Sequence, residues 1–300
     1  MNRIFDVIII GGSYSGMAAA MALGRARRDV LIIDSGKPCN AQTPHSHNFL
    51  TRDGETPAEI AAFAKQQVLQ YSTITFLADV AIKGTKTANG FEIKAASGET
   101  YAASKLVFAT GIRDMLPAIT GIAECWGISV LHCPFCHGYE VRDEQTGIFG
   151  NGETVYELAS LITNWTDDLT IFTNGPSTLT PEQNTKLGSH SIKVIENEID
   201  NLVHSAGYLK RVIFKDGTTA VLTAAYVRNP FRQVCQLPET MGCELTEDGY
   251  IKVDAMQATT VPGIYACGDN TNKLRTLANA VAGGTTTGMV ISKQLISSEF

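Results

Sequence analysis

The stretch Leu131-His-Cys-Pro-Phe-Cys-His-Gly-Tyr-Glu140 carries the residue types best suited to chemistry: Cys133 and Cys136 at CxxC spacing, with His137 directly after them. Three unrelated chemistries use such a pattern. It is the CxxCH of covalent c-type haem attachment, half of a zinc ligand set, or a redox dithiol. Thiol–disulfide exchange requires a thiolate, and an unperturbed cysteine with a pKa near 8.5 is only about 3% ionised at pH 7. His137 can change this by taking the proton or, as imidazolium, by lowering a thiol pKa toward about 7, which leaves about half of it ionised. A surface imidazole satisfied by backbone is the bland alternative for His137, and His132 precedes the pair on an expected strand.

The rest of the chain narrows the choice. Its 300 residues, 44% hydrophobic and 18% charged, are those of a globular protein long enough for two cores. The net charge of -6 and the scattered Lys and Arg residues, apart from the short run Arg25 to Arg28, give no phosphate-tracking stripe, so nucleic acid is not an expected partner. A buried-strand pattern from Ile4 to Ile10 begins almost at the first Met, which leaves no room for an export signal, and no apolar run reaches membrane-spanning length. A cytoplasmic protein without a membrane partner is expected, and this weakens the haem reading. Seven cysteines, at 39, 125, 133, 136, 235, 243 and 267, form an odd and dispersed set that argues against a disulfide framework. There is no second CxxC or CxxH to complete a zinc site, so no metal is expected. Cys39, Cys125, Cys235, Cys243 and Cys267 read as small apolar residues and Trp126 as packing.

The elements that must position the dithiol are nucleotide-binding ones. Residues 5–36 read as buried strand, glycine turn over Gly11, Gly12, Ser13, Tyr14, Ser15 and Gly16, helix from Met17 to Ala26, and a second strand ending in Asp34. Such a turn offers helix N–H groups to a pyrophosphate, and Asp34, eighteen residues after Gly16, suits a ribose hydroxyl. Ser13 stands where the middle glycine of GxGxxG is usual. Downstream, Gly263 to Cys267 reads as a short strand ending in Gly268-Asp269, before a helix-compatible segment from Leu274 to Leu295. Thr110-Gly111 follows a strand from Lys105 to Ala109. Thr56-Pro57-Ala-Glu59 and Thr180-Pro-Glu-Gln183 are capping boxes that open two further helices. Residues 74–109 read as a small antiparallel layer. The strand, glycine turn, helix, strand pattern then recurs over residues 146–175. An α/β fold of two dinucleotide-binding, Rossmann-like domains is expected, the first from residues 1–115 and 235–300, the second inserted as residues 116–234 and carrying CxxC.

These separated motifs, with CxxC inside the inserted domain, resemble the low-molecular-weight thioredoxin reductases over the full chain. The resemblance implies noncovalent FAD, a redox-active Cys133–Cys136 pair exchanging electrons with it, and a homodimer. By position, Gly11 to Gly16, Asp34, Ser35, Lys37, Asn40, His47, Val80, Thr110, Gly111, Gly268, Asp269, Arg275, Thr276 and Leu277 would surround FAD. Cys133 would exchange with the external sulfur and Cys136 would face the flavin, with His137 moving protons. His45 and His47 lie in a polar loop, Thr43 to Gly54, where a solvated pair is the alternative to a flavin-side role.

The departures from that family carry information. His137 replaces the usual Asp after the second cysteine. In the second glycine turn, Gly150-Asn-Gly152-Glu-Thr-Val155, valine takes the place of the third glycine. The next strand, Leu169 to Phe172, ends in Thr173-Asn174, with neither a cation for a 2′-phosphate nor an acid for a 2′-hydroxyl, so NADPH binding is expected to be weak. CxxCH with an eroded nicotinamide site also resembles the thioredoxin-reductase-like dithiol oxidases. Three readings stay open: an FAD-dependent thiol–disulfide oxidoreductase acting as a dithiol oxidase or with a non-nicotinamide partner; an NAD(P)H-dependent thioredoxin or disulfide reductase with an atypical nucleotide site; and a flavin-based redox sensor without turnover. The substrate is a thiol or disulfide, either a small dithiol or a thioredoxin-like protein.

Overall fold

The computed structural model describes residues 4–300. It divides into two compact units, one made of the chain up to Ala41, Asn48–Arg113 and Phe231–Phe300, the other of Gln42–His47 and Asp114–Pro230.

The first unit opens with β1 (Ile4–Ile10), whose residues Val7 to Ile10 are buried on both faces as a central parallel strand requires. α1 (Tyr14–Arg25) and β2 (Val30–Asp34) complete the first βαβ unit. The helix begins at Tyr14 rather than at the expected Met17, because the Ser13 carbonyl already accepts the Met17 N–H at 2.8 Å. α2 (Pro57–Val68) starts at its capping box, with the Thr56 hydroxyl accepting from the Glu59 N–H. β3 (Ile74–Ala78), β4 (Ala81–Thr87), β5 (Gly90–Ala95) and β6 (Thr100–Phe108) follow, then the short β7 (Ile112–Asp114). The sheet order is β3-β2-β1-β6-β5-β4. β3 therefore departs from the expected antiparallel layer: it pairs parallel with β2, from Val30 opposite Ile74 to Asp34 opposite Ala78, since the helical crossover α2 returns it in the same direction.

The second unit contains α3 (Ile122–Cys125), β8 (Val130–Leu131), α4 (Pro134–His137), β9 (Thr146–Phe149), α5 (Glu153–Ile162), β10 (Leu169–Phe172), α6 (Pro181–Ser189) and β11 (Lys193–Ile195). The strands β12 (Ile199–Ser205), β13 (Tyr208–Phe214) and β14 (Thr219–Val221) form an antiparallel layer, and β15 (Ala224–Tyr226) returns to the parallel sheet, ordered β11-β10-β9-β15-β8. Residues 42–47, expected with the first domain, group here because the Gln42 amide donates to the carbonyls of Ala123, Glu124 and Trp126 at 2.9, 2.9 and 3.0 Å.

The chain returns to the first unit through β16 (Phe231–Gln233), which pairs with β7, and α7 (Leu237–Thr240). β17 (Ile264–Ala266) then joins the end of β6, Ile264 opposite Leu106, so β6 serves the antiparallel layer with its first half and the parallel sheet with its second. α8 (Leu277–Glu299) closes against α1. Small residues permit this contact: a side chain on Gly284 would collide with the Ser15 carbonyl, and one on Gly288 with that of Ala19. Among the described residues no helix is long and apolar enough to cross a membrane.

Candidate active site

The dithiol sits where β8 gives way to α4. Cys133 is the extended N-cap of that short helix, Pro134 supplies a first-turn residue with fixed φ, and the turn brings the Cys136 Sγ to 2.6 Å from the Cys133 Sγ. Both cysteines are partly accessible. Phe135, between them, is exposed and stands edge-on to Trp165 with ring centroids 5.4 Å apart. An outside sulfur can therefore reach the pair beside an apolar surface.

Around it the second unit gathers groups that are far apart in sequence. His137 follows Cys136 directly, and burial pushes its imidazole below the ordinary histidine range, opposed by the Glu140 carboxylate and reinforced by His47. At neutral pH the ring is a proton acceptor, which selects the base role over the imidazolium role. The His47 ring meets that of His137 edge-on, with centroids 6.3 Å apart, and its Nε2 lies 3.5 Å from Glu140 Oε1. His47, expected beside the flavin, thus belongs to the unit that carries the dithiol. His45 stands next to it, centroids 6.4 Å apart, whereas His132 turns toward Trp126 at 6.5 Å. Glu140 was not singled out by sequence reasoning although it lies in the same stretch, because an exposed acid after a turn has no distinguishing pattern. Of the remaining cysteines, 125, 243 and 267 are buried, but Cys39 is exposed, contrary to the expected apolar role, since it follows β2 in a surface turn.

The other expected residues assemble in the first unit. Gly11, at φ 103°, passes so close to β6 that a Cβ there would collide with the Ala109 carbonyl. The Asp34 carboxylate accepts from the N–H groups of Gly12 at 2.9 Å and Gly36 at 3.1 Å, which leaves about half of its lone-pair sites for a hydroxyl. Tyr14 hydrogen-bonds Asn40 and lies 3.2 Å from the Pro57 carbonyl, while Ser35 and Lys37 are exposed in the turn after β2. Val80 is half exposed, its N–H donating to Asp79 at 2.7 Å. Gly268 abuts Ser15, Asp269 faces Arg275 at 4.0 Å, and Thr276 caps α8 by accepting from Asn279 just before Leu277. Asn270, which sequence reasoning passed over, is wholly buried, and its amide holds the Phe108 carbonyl at 2.9 Å and the Thr110 hydroxyl, beside Gly111, at 3.4 Å. Its Oδ1 has no hydrogen-bond partner among the described residues. Two helix N-termini, a glycine-containing turn at Gly11, Gly12 and Gly16, a partly engaged acid and an orphaned buried oxygen fit a dinucleotide such as FAD.

The second glycine turn, after β9, is built differently. Gly150 and Gly152 keep positive φ at 146° and 69°, but the Asn151 side chain ties the turn to the loop after β10, donating to the Pro176 carbonyl and accepting from the Thr178 N–H, both at 2.8 Å. Glu153 places a carboxylate in the first turn of α5, where its Oε2 accepts from Gln183 at 2.6 Å. Val155 is buried in the core with Leu131 and Ile148. At the end of β10 the Asn174 Oδ1 accepts from the Ile199 N–H at 2.6 Å.

Two parallel-sheet nucleotide units, one with a dinucleotide cradle and one with a CxxC pair, define a two-domain thiol–disulfide oxidoreductase. The chain belongs to the pyridine nucleotide-disulphide oxidoreductase family, which it matches over residues 5–284. It is 32% identical to thioredoxin reductase tcpT of Claviceps purpurea over 99% of this chain and 96% of the relative, and 26% identical to the thioredoxin reductase of Listeria innocua over 97% and 94%. The crystal structure of TrxB from Bacillus anthracis matches 99% of this chain and all of its own with a TM-score of 0.94 at 30% identity. The protein is a thioredoxin-reductase-like flavoprotein, FAD-dependent and acting on thiols and disulfides.

Proposed function

We propose that the chain is a dithiol oxidase, in which Cys133 and Cys136 take electrons from a small dithiol and FAD passes them to dioxygen. The observation that carries this reading is the turn after β9: the Asn151 side chain ties it to the loop after β10, Glu153 places a carboxylate in the first turn of α5, and the residues that follow β10, Thr173 and Asn174, include no cation. A carboxylate in a first helical turn competes with a pyrophosphate for the same positive end.

The sulfur steps follow from the geometry. A substrate thiolate attacks the Cys133 Sγ of the oxidised pair, and Cys136 leaves as thiolate. The substrate's second sulfur, once deprotonated, attacks the mixed disulfide, releasing product disulfide and the Cys133 thiolate. His137, neutral because it is buried, accepts the protons, and the His47–Glu140 pair beside it leads them toward solvent. When bound, FAD would supply a two-electron acceptor for the Cys133–Cys136 dithiol, with dioxygen as the terminal acceptor and hydrogen peroxide as its product. The balance is one dithiol and one dioxygen to one disulfide and one peroxide. The reading includes a homodimer, as the resembled family implies, a cytoplasmic location, and Gly11 to Gly16, Asp34, Thr110, Gly111, Gly268, Asp269, Arg275, Thr276 and Leu277 about the FAD.

Aerobic mixing of the purified holoprotein with dithiothreitol tests it. Peroxide should form in step with thiol loss, and flavin that dithiothreitol cannot reduce overturns the reading. One observation favours a second reading, an NAD(P)H-fed reductase of a thioredoxin-like disulfide: Gly150 and Gly152 retain the positive φ of a nucleotide turn. Rapid flavin reduction by NADPH would support that reading.

A further inference from the structure

Tyr226 is a buried titratable group that the sulfur steps do not use. It ends β15, is 1% exposed, and its hydroxyl has no hydrogen-bond partner among the described residues. Natural proteins rarely leave a buried hydroxyl this way, so each case needs a reason. Position supplies one. β15 pairs with β8 with Tyr226 opposite Leu131, and the two share a core cluster. β8 ends at Leu131, His132 is a bend whose ring faces Trp126, and Cys133, with extended backbone, stands two residues beyond the strand partner of Tyr226.

We propose that Tyr226 is a positioning residue for the dithiol, its buried hydroxyl donating a hydrogen bond to the thiolate that forms at the Cys133–Cys136 pair when the disulfide opens. This role rests on the redox reading of that pair. The charges that reach the phenol are those of Cys133, Glu140 and Cys136, and together with burial they push its ionisation above the ordinary tyrosine range. The phenol therefore keeps its proton and remains a donor wherever the thiols titrate. The thiolate at the pair arises as the leaving group when the disulfide opens; His137, beside Cys136, takes the proton of the substrate thiol, and Tyr226 holds the enzyme anion. No atom is transferred to or from Tyr226.

The test compares the reduced holoenzyme with its Tyr226→Phe variant, which removes only the oxygen. The reduced proteins are alkylated with iodoacetamide across pH 5 to 9, and the peptide carrying Cys133 and Cys136 is followed by mass spectrometry. The variant's alkylation midpoint should rise by about one pH unit, an about tenfold smaller thiolate fraction below the midpoint. An unmoved midpoint, with a melting temperature that rises because a buried unpaired hydroxyl has gone, overturns the role. A wild-type pair that forms no disulfide reducible by dithiothreitol contradicts the redox reading itself and this role with it.

Discussion

Burial keeps the ring of His137, the proposed base, neutral, and its pH behaviour follows. Its folded pKa lies below the unfolded value near 6.5, so the unfolded chain binds more protons as pH falls from there. Stability contributed by this site is thus present above about pH 6.5 and is lost as pH falls through the lower folded pKa. His137→Gln should flatten the acid limb of the stability profile in urea melts from pH 7 to 5. The same change should lower dithiol turnover by about a hundredfold, the usual contribution of a general base, with the flavin spectrum intact. Cys133, Cys136 and His137 were legible in sequence because they adjoin one another. His47, Glu140 and Asn270 were not recognisable as partners, since their roles depend on contacts made between separate segments.

The pairing of α1 with α8 is the element on which the dinucleotide cradle depends. Ser15 and Ala19 meet Gly284 and Gly288 in turn, and Arg28 reaches Glu299 at 2.6 Å near the far ends, so the helices run in the same direction. Ser15, at the start of α1, consequently lies against both Gly268 and Gly284, the eighth residue of α8. Gly284→Val should force the helices apart at a cost of about 1–3 kcal/mol, read as a lower melting temperature and FAD lost on gel filtration. In the second unit, Glu153→Gln removes the first-turn carboxylate of α5 and should tighten NADPH about two- to fivefold by fluorescence titration. The helices with capping boxes, α2 and α6, were legible because Thr56 and Thr180 bond within their own first turns. β3 was not, because its parallel partner is chosen by the crossover of α2 and not by its own residues. The start of α1 was misplaced for the opposite reason: Gly16 reads as turn, yet it is helical because only glycine fits against the Gly11 carbonyl.

Across the whole molecule, one chain carries two nucleotide folds that differ in what they retain. The first keeps its acid at the end of β2, the close-approach glycines Gly11, Gly12 and Gly16 and a second helix terminus, all suited to FAD. The second keeps the sheet and the turn's backbone, but Asn151 ties that turn to the loop after β10, Glu153 puts a carboxylate in the first turn of α5, and β10 is followed by Thr173 and Asn174 rather than a cation. Family membership accounts for the shared architecture. The two differently built turns carry the proposed direction of electron flow, from dithiol to flavin. Anaerobic stopped-flow of the holoprotein against dithiothreitol, NADPH and NADH in parallel measures that direction. Dithiothreitol should bleach the oxidised flavin band while both nicotinamide nucleotides at sub-millimolar concentration leave it standing; bleaching by NADPH within milliseconds to seconds, with none by dithiothreitol, would contradict the account.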